Sequence, residues 1–271
     1  MQPTGFVSLV GAGPGDPELL TVKAVRRLQA AEVVVYDYLA NPDLIIHCRQ
    51  RPLLIYAGKR AGRQSLSQAT INQTLIEHGR SGRLVVRLKG GDPFIFGRGG
   101  EEAEALTQAG IPWEIVPGIS SALAAPAYAG IPLTHRDLAS SCTIVTGHEA
   151  LSSERRIDWR TGLSADTLVI LMGMERLATI MQRLIEAGRN AATPAAVVRW
   201  GTTAQQQTIV ATIATLAEAV ACHGLGSPAV IVVGEVVQCA TTLNWFVPPA
   251  SWCPPATDVL ELPIPCVAVQ P

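Results

Sequence analysis

Short apolar runs rich in β-branched residues recur at 6–10, 33–36, 53–56, 84–88 and 113–116, and between them apolar residues fall at helical spacing. That alternation restricts the fold more than any other feature, because strands separated by helices form parallel sheets through crossover connections. Within 21–31 the helical stripe is Val22, Val25 and Leu28, and within 67–78 it is Ile71, Leu75 and Ile76, with Ser67 as a plausible N-cap and Gly79 after the last turn. A further helix over 101–108 closes at Gly110. The pattern breaks at 130–137 with glycine, proline and polar residues, then resumes with strands expected at 142–145, 167–172, 195–200, 207–211 and 229–233 and helices at 176–187 and 213–221. A chain of 271 residues accommodates two such units. The expected fold class is α/β, with an N-terminal domain over 1–136 carrying glycine-rich loops and a C-terminal α/β domain over 137–247. Seven of the 24 residues from Pro248 to Pro271 are proline, so 248–271 reads as an extended tail.

Composition removes several function classes. With 48% hydrophobic residues and a formal net charge of −1 the chain is not mainly disordered. Apolar runs such as 168–172 and 229–233 are strand-sized, far short of the roughly 18 residues of a membrane span, so no membrane partner is expected. No basic residue precedes Lys23, and without a visible signal peptide the cytoplasm is the expected location. The six cysteines form no C-x-x-C pair, so free buried thiols are expected and no metal site. Up to Arg136 there are 14 basic against 11 acidic residues, and afterwards 7 against 11. That asymmetry is too small for a nucleic-acid footprint but places an anionic ligand nearer the first half. Eighteen of the basic residues are arginine, whose planar fork grips carboxylates and phosphates bidentately.

Chemistry-bearing residues gather after the strands. Gly11-Ala12-Gly13-Pro14-Gly15-Asp16-Pro17 follows the first strand, where a nucleotide-binding turn would sit. Asp16 occupies a place that a dinucleotide fingerprint reserves for a small residue, so the segment reads either as a nucleotide contact or as a tight structural turn. After the fourth strand, 89–102 combines glycines with Phe94 and Phe96, which could wall a flat ligand, and with Arg98 and Glu101 one helical turn apart. Its alternative is a surface loop with an intrahelical ion pair. After the fifth strand, Ser120 and Ser121 either cap the next helix or contact a ligand. Arg136, beside His135 at the domain boundary, suits an acid. Asp37 ends the second strand and Lys59 the third; they form a proton-exchanging pair or a salt bridge between loops.

Taken together these segments resemble the tetrapyrrole methylase family, over about residues 5 to 240. The likeness rests on VGAGPGDPELLT at 10–21, VVYDYL at 34–39, AGKRAG at 57–62, RLKGGDPFIFGRGGEE at 87–102, VPGISSA at 116–122 and GIPLTHRD at 130–137, with LMG at 171–173 and WGT at 200–202 weaker. The resemblance implies two α/β domains with a cofactor cleft between them. It implies S-adenosylmethionine as methyl donor, with S-adenosylhomocysteine as product, held by Pro14, Gly90, Gly91, Asp92, Ile95, Ser120, Ser121, Met172 and Gly201. Proposed base and acid positions of the family fall on Asp37 and Lys59, and positions that engage the tetrapyrrole on Arg98, Glu101 and Arg136. The activity it implies is C-methylation of uroporphyrinogen III at C2 and C7 to give precorrin-2, or methylation of a later precorrin intermediate, by a homodimer. An NAD-dependent oxidoreductase would require the fingerprint that Asp16 breaks, and a non-catalytic tetrapyrrole carrier would not require the cofactor residues.

Overall fold

The computed structural model describes residues 5–58, 66–148, 158–160 and 164–247. Lys59 and the segment 248–271 lie outside the described residues. In the first half the chain runs β1 (Phe6–Gly11), α1 (Val22–Ala30), β2 (Val33–Tyr36), β3 (Leu53–Tyr56), α2 (Gln68–Arg80), β4 (Leu84–Lys89), α3 (Gly99–Gln108) and β5 (Trp113–Val116). Its five strands form one parallel sheet in the order β3-β2-β4-β1-β5. Helices cover both faces, as parallel strands require. Ile71 and Leu75 of α2 and Ala103 and Leu106 of α3 pack on Val7, Leu9, Val33, Val35 and Val85, while Ala24 and Leu28 of α1 pack on Val10, Val34, Val86 and Leu88. The helix starts follow the local sequence: the Thr21 hydroxyl accepts from the Ala24 N–H at 3.2 Å and the Ser67 hydroxyl from Thr70 at 3.1 Å. Because all five strands run the same way, the loops after them open on one edge of the sheet, where α/β proteins bind ligands.

The second sheet contains β6 (Cys142–Thr146), β7 (Thr167–Leu171), β8 (Pro194–Arg199), β9 (Gln207–Thr212) and β10 (Ala229–Val233) in the order β6-β7-β10-β8-β9. It is mixed: β6 and β7 are parallel, and β10 lies between β7 and β8 antiparallel to both. Consequently β7 and β8 point the same way, and the residues just after them share an edge. On one face α5 (Leu177–Glu186) and α6 (Leu216–Cys222) bury Ile180, Leu184, Leu216 and Val220 against Leu168, Ile170, Val197 and Ile231.

The other face is covered by α4 (Ser121–Tyr128), whose Ala122 and Ala125 pack on Val169, Val198 and Val232. By packing, α4 thus belongs with the second sheet although it precedes the expected division at 136/137. The glycine and proline signal at 130–137 marks the turn after this helix, where Gly130 adopts φ +70°, and the chain has already crossed at 117–120. The expectation of buried thiols is also corrected: Cys48, Cys142 and Cys239 are free but half-buried, and Cys222 is exposed. These positions sit at element ends and on the rims of the cores, where a small side chain is only partly covered.

The edge strand β5 is tied to α1 by charge. The Glu114 carboxylate accepts from the Ser8 hydroxyl at 3.0 Å and pairs with Lys23 at 2.7 Å and with Arg27. Burial alone would raise its pKa, but Arg27, Lys23 and Ser8 outweigh it and hold the carboxyl at about 2, below its usual 4.5. A depressed folded-state pKa contributes stability that is present above the unfolded value and lost as the pH falls through the folded one. Glu114→Gln is expected to lower the thermal midpoint at pH 7, and its deficit relative to the parent should close as the pH drops from 4.5 toward about 2. Melts across that window check it, and a deficit independent of pH would count against the charge account.

Candidate functional site

Three loops meet where β1, β4 and β5 end. The Ala12 N–H donates to the Lys89 carbonyl at 2.7 Å, and Gly13 and Gly91 exchange N–H to carbonyl bonds of 3.2 and 2.7 Å. The third loop joins through Asp92, whose Oδ2 accepts from the Gly118 N–H at 3.1 Å while Oδ1 accepts from Phe94 at 2.8 Å. Backbone touches backbone here. A Cβ on Gly118 would lie 2.3 Å from the Gly91 oxygen, and one on Gly11 2.5 Å from the Gly118 Cα, so neither position admits a side chain.

The second sheet contributes from its matching edge. Met172 and Gly173 follow β7, and Trp200, Gly201 and Thr202 follow β8. Gly201 sits against α4, where a Cβ would be 2.4 Å from that of Ala125, and the Asp16 N–H donates to the Thr202 hydroxyl at 3.1 Å. The structure therefore brings the expected cofactor set, Pro14, Gly90, Gly91, Asp92, Ile95, Ser120, Ser121, Met172 and Gly201, onto facing loops of two sheets and the start of α4. Ser120 is buried and caps α4, its hydroxyl accepting from Ala122 at 3.3 Å. Ile95 and Met172 are exposed apolar side chains on the rim. Among the described residues, the non-glycine residues with positive φ are Phe96, Arg98, Met172, Trp200 and Thr202, and all five lie on these loops. Backbone strain of this kind persists where surrounding structure over-determines it and clusters at ligand sites.

Charges are arranged in two groups. At the end of β2, Asp37 accepts from the Arg87 guanidinium at 3.3 Å and from the Leu39 N–H at 3.1 Å. Behind it, Arg87 and Lys89 on β4 both reach Oε1 of Glu102, at 3.1 and 2.9 Å, and all three side chains are almost fully buried. Burial pushes the Lys89 ammonium below its usual pKa, with Arg87 adding to the effect and Glu102 opposing it. Oε2 of Glu102 is buried without a hydrogen-bond partner. On the outside, Arg98 and Glu101 pair bidentately at 2.9 and 2.8 Å with more than half of each side chain exposed. Arg136 is exposed on a turn held by the His135 to Ala139 bridge. The partner expected for Asp37, Lys59, lies outside the described residues.

Sequence reasoning missed Arg87, Lys89 and Glu102. Its available signal was two cations, two residues apart, on one face of an otherwise apolar strand. It also missed Tyr38, whose ring meets that of Trp200 edge-on at 6.1 Å across the two units. Among the described residues no group of three or more His, Cys, Asp or Glu could hold a metal, and no helix is long and apolar enough to cross a membrane.

This chain is similar to known proteins in sequence and in fold. The sequence profile of the family described as Tetrapyrrole (Corrin/Porphyrin) Methylases matches residues 7–217. The uroporphyrinogen-III C-methyltransferase of Bacillus subtilis is 47% identical over 245 residues, covering 89% of this chain and 95% of that protein. The siroheme synthase of Chromobacterium violaceum is 50% identical over 243 residues, and the chain spans only 52% of its length. Among solved structures, uroporphyrin-III C-methyl transferase from Thermus thermophilus complexed with S-adenyl homocysteine superposes with a TM-score of 0.74 at 40% identity, over 86% of this chain and 99% of that one.

The buried cluster makes a prediction for stability. Glu102→Gln preserves shape but leaves Arg87 and Lys89 facing only Asp37, and breaking a buried ion pair typically costs about 3–5 kcal/mol. Urea denaturation should register a loss of that order, whereas a loss below about 1 kcal/mol would show that solvent already screens the cluster.

Proposed function

Since the chain belongs to the tetrapyrrole (corrin/porphyrin) methylase family, we propose that it transfers methyl groups from S-adenosylmethionine to C2 and C7 of uroporphyrinogen III, giving precorrin-2. The observation that carries this reading is the 47% identity, nearly end to end, with the Bacillus subtilis enzyme. When bound, S-adenosylmethionine supplies an already activated sulfonium methyl. The residues present fit it: Gly91, Ser120 and Ser121 carry little bulk and let the ligand approach the backbone, Gly90 is kept bare by Leu39, whose Cβ a side chain there would meet at 2.5 Å, and Ile95 and Met172 offer apolar surface to the adenosine. Pro14 and Gly201 close the site from either side. Asp92 acts indirectly, because its carboxylate is engaged by the Gly118 and Phe94 N–H groups and holds two of the loops in place.

What remains for the protein is mostly alignment of a nucleophilic pyrrole carbon with that methyl. Arg98 and Arg136 grip carboxylates of the macrocycle, with Glu101 keeping Arg98 extended until substrate arrives. Asp37, oriented by Arg87, accepts the proton released after methylation, and Lys59 takes the acid position that the family resemblance implies. A tetrapyrrole as partner rests on the family and the relatives' activity, and the near-balanced charge offers no basic footprint for a nucleic acid. A homodimer follows from the family resemblance, and the product is a precursor for siroheme, cobalamin or haem d1.

Incubation with S-adenosylmethionine and uroporphyrinogen III should yield a doubly methylated product by mass analysis, and an unchanged macrocycle would refute the reading. Arg98→Ala should leave thermal stability within about 1 kcal/mol of the parent, because an exposed ion pair contributes little. Turnover should fall by the equivalent of about 1.5–3 kcal/mol for the lost charged contact. Affinity for S-adenosylhomocysteine, measured by calorimetry, should not change; a parallel loss there would assign Arg98 to holding the loop.

A further inference from the structure

Asp16, which breaks the dinucleotide fingerprint, has no task in the reaction above. Its surroundings give it one. The Asp16 N–H donates to the Thr202 hydroxyl at 3.1 Å, the Thr202 N–H donates to Oε1 of Gln206 at 2.9 Å, Nε2 of Gln206 donates to the Tyr128 carbonyl at 3.0 Å, and the Tyr128 hydroxyl donates to Oδ2 of Asp16 at 3.0 Å. These four bonds close a ring through four residues. The ring joins the loop that carries Pro14, the loop that carries Gly201 and the last turn of α4, so it spans both sheets. Within it Thr202 is held at φ 71°. Strain of that kind needs a support, and the ring supplies one.

A second set of contacts fixes Tyr128 from outside. Its ring lies 4.9 Å from that of Trp245 and 4.8 Å from that of Phe246, and the Trp245 indole N–H donates to the Ala127 carbonyl at 3.0 Å. Nearby, a Cβ on Gly130 would lie 2.6 Å from the Leu243 carbonyl, so the returning chain is seated closely on the end of α4. Trp245 stays 61% exposed, and so little burial that contributing to a core does not account for its placement.

We infer that Tyr128 is a positioning residue for the cofactor: its hydroxyl and carbonyl fix the separation of the Pro14 and Gly201 loops, and the segment 243–246 steadies that hold by clamping its ring. The inference rests on the proposed binding of S-adenosylmethionine between those loops. It concerns that ligand alone, since Arg98 and Arg136 stand outside the ring of bonds.

Tyr128→Phe keeps the aromatic packing and removes only the hydroxyl. Calorimetry with S-adenosylhomocysteine should show a dissociation constant raised on the order of fivefold to tenfold, within the roughly twofold to thirtyfold range of a coupling transmitted through a packed network. KM for S-adenosylmethionine should rise in step, with kcat and KM for uroporphyrinogen III unchanged. Trp245→Ala should act in the same direction, and the double variant should be little worse than the worse single one, as for residues of one unit. A lower thermal midpoint with unaltered S-adenosylhomocysteine affinity would reduce Tyr128 to a structural hydrogen bond and overturn the inference, as would an equal rise in both KM values. Parent-like binding by Trp245→Ala would overturn the part assigned to 243–246. If the unmutated protein bound no S-adenosylhomocysteine, the proposed function would fail first; if it bound and the variants matched it, only this inference would fail.

Discussion

Backbone contact at Gly11, Gly91 and Gly118 is the constraint on which the site depends. Three strands of the parallel sheet end side by side, about 4.8 Å apart in the hydrogen-bonding direction, and their loops can converge only if no side chain stands between them. The 2.3 Å and 2.5 Å approaches that a Cβ would meet mean that the glycines are required by the neighbouring loops before any ligand is considered. Asp92 then converts proximity into a fixed arrangement by accepting from two N–H groups in different loops. The glycine segments are therefore required as structural turns whatever ligand they hold, and the two readings open at the level of sequence are not exclusive.

Most of the architecture was legible because the apolar pattern and the packing agree. Strands and helices fall where the periodicity puts them, with differences of a few residues at the ends. Those differences are informative. The expected strands 167–172 and 195–200 each run one residue too far, and the surplus residues, Met172 and Trp200, turn to φ 55° and 48° at the edge of the site. An apolar residue continues a strand pattern on paper, while the site requires a left-handed turn there; local propensity and tertiary demand conflict at functional positions. The placement of α4 was not legible either. Its alanines suit any helix surface, and only the assembled second sheet shows that they face it.

Within the site, residue types were easier to read than partners. Asp37, Arg98 and Glu101 stand where the strand ends and the glycine-rich turn placed them, and the structure adds what each one touches. The Arg98 to Glu101 pair could be anticipated from its i, i+3 spacing. The charges behind Asp37 could not, because Arg87 and Glu102 are 15 residues apart and meet only after α3 folds back on β4. Tyr128 and Asp16, 112 residues apart, are a still longer-range case.

The pairing of charges has a kinetic consequence. Arg98 is matched by Glu101, and Arg87 and Lys89 are matched by Glu102 and Asp37, so these three of the described cations around the site are neutralised before any ligand arrives. Such a surface projects little long-range field, and a polyanion is not drawn in from a distance as it would be toward a bare cluster of arginines. On the proposed reading, capture relies on short-range exchange at Arg98, in which a ligand carboxylate takes over the fork and leaves Glu101 to solvent. For a carboxylate exchanged at a paired fork of this kind, steering is weak and ionic strength matters little, and the spacing of a ligand's carboxylates counts for more than their total charge.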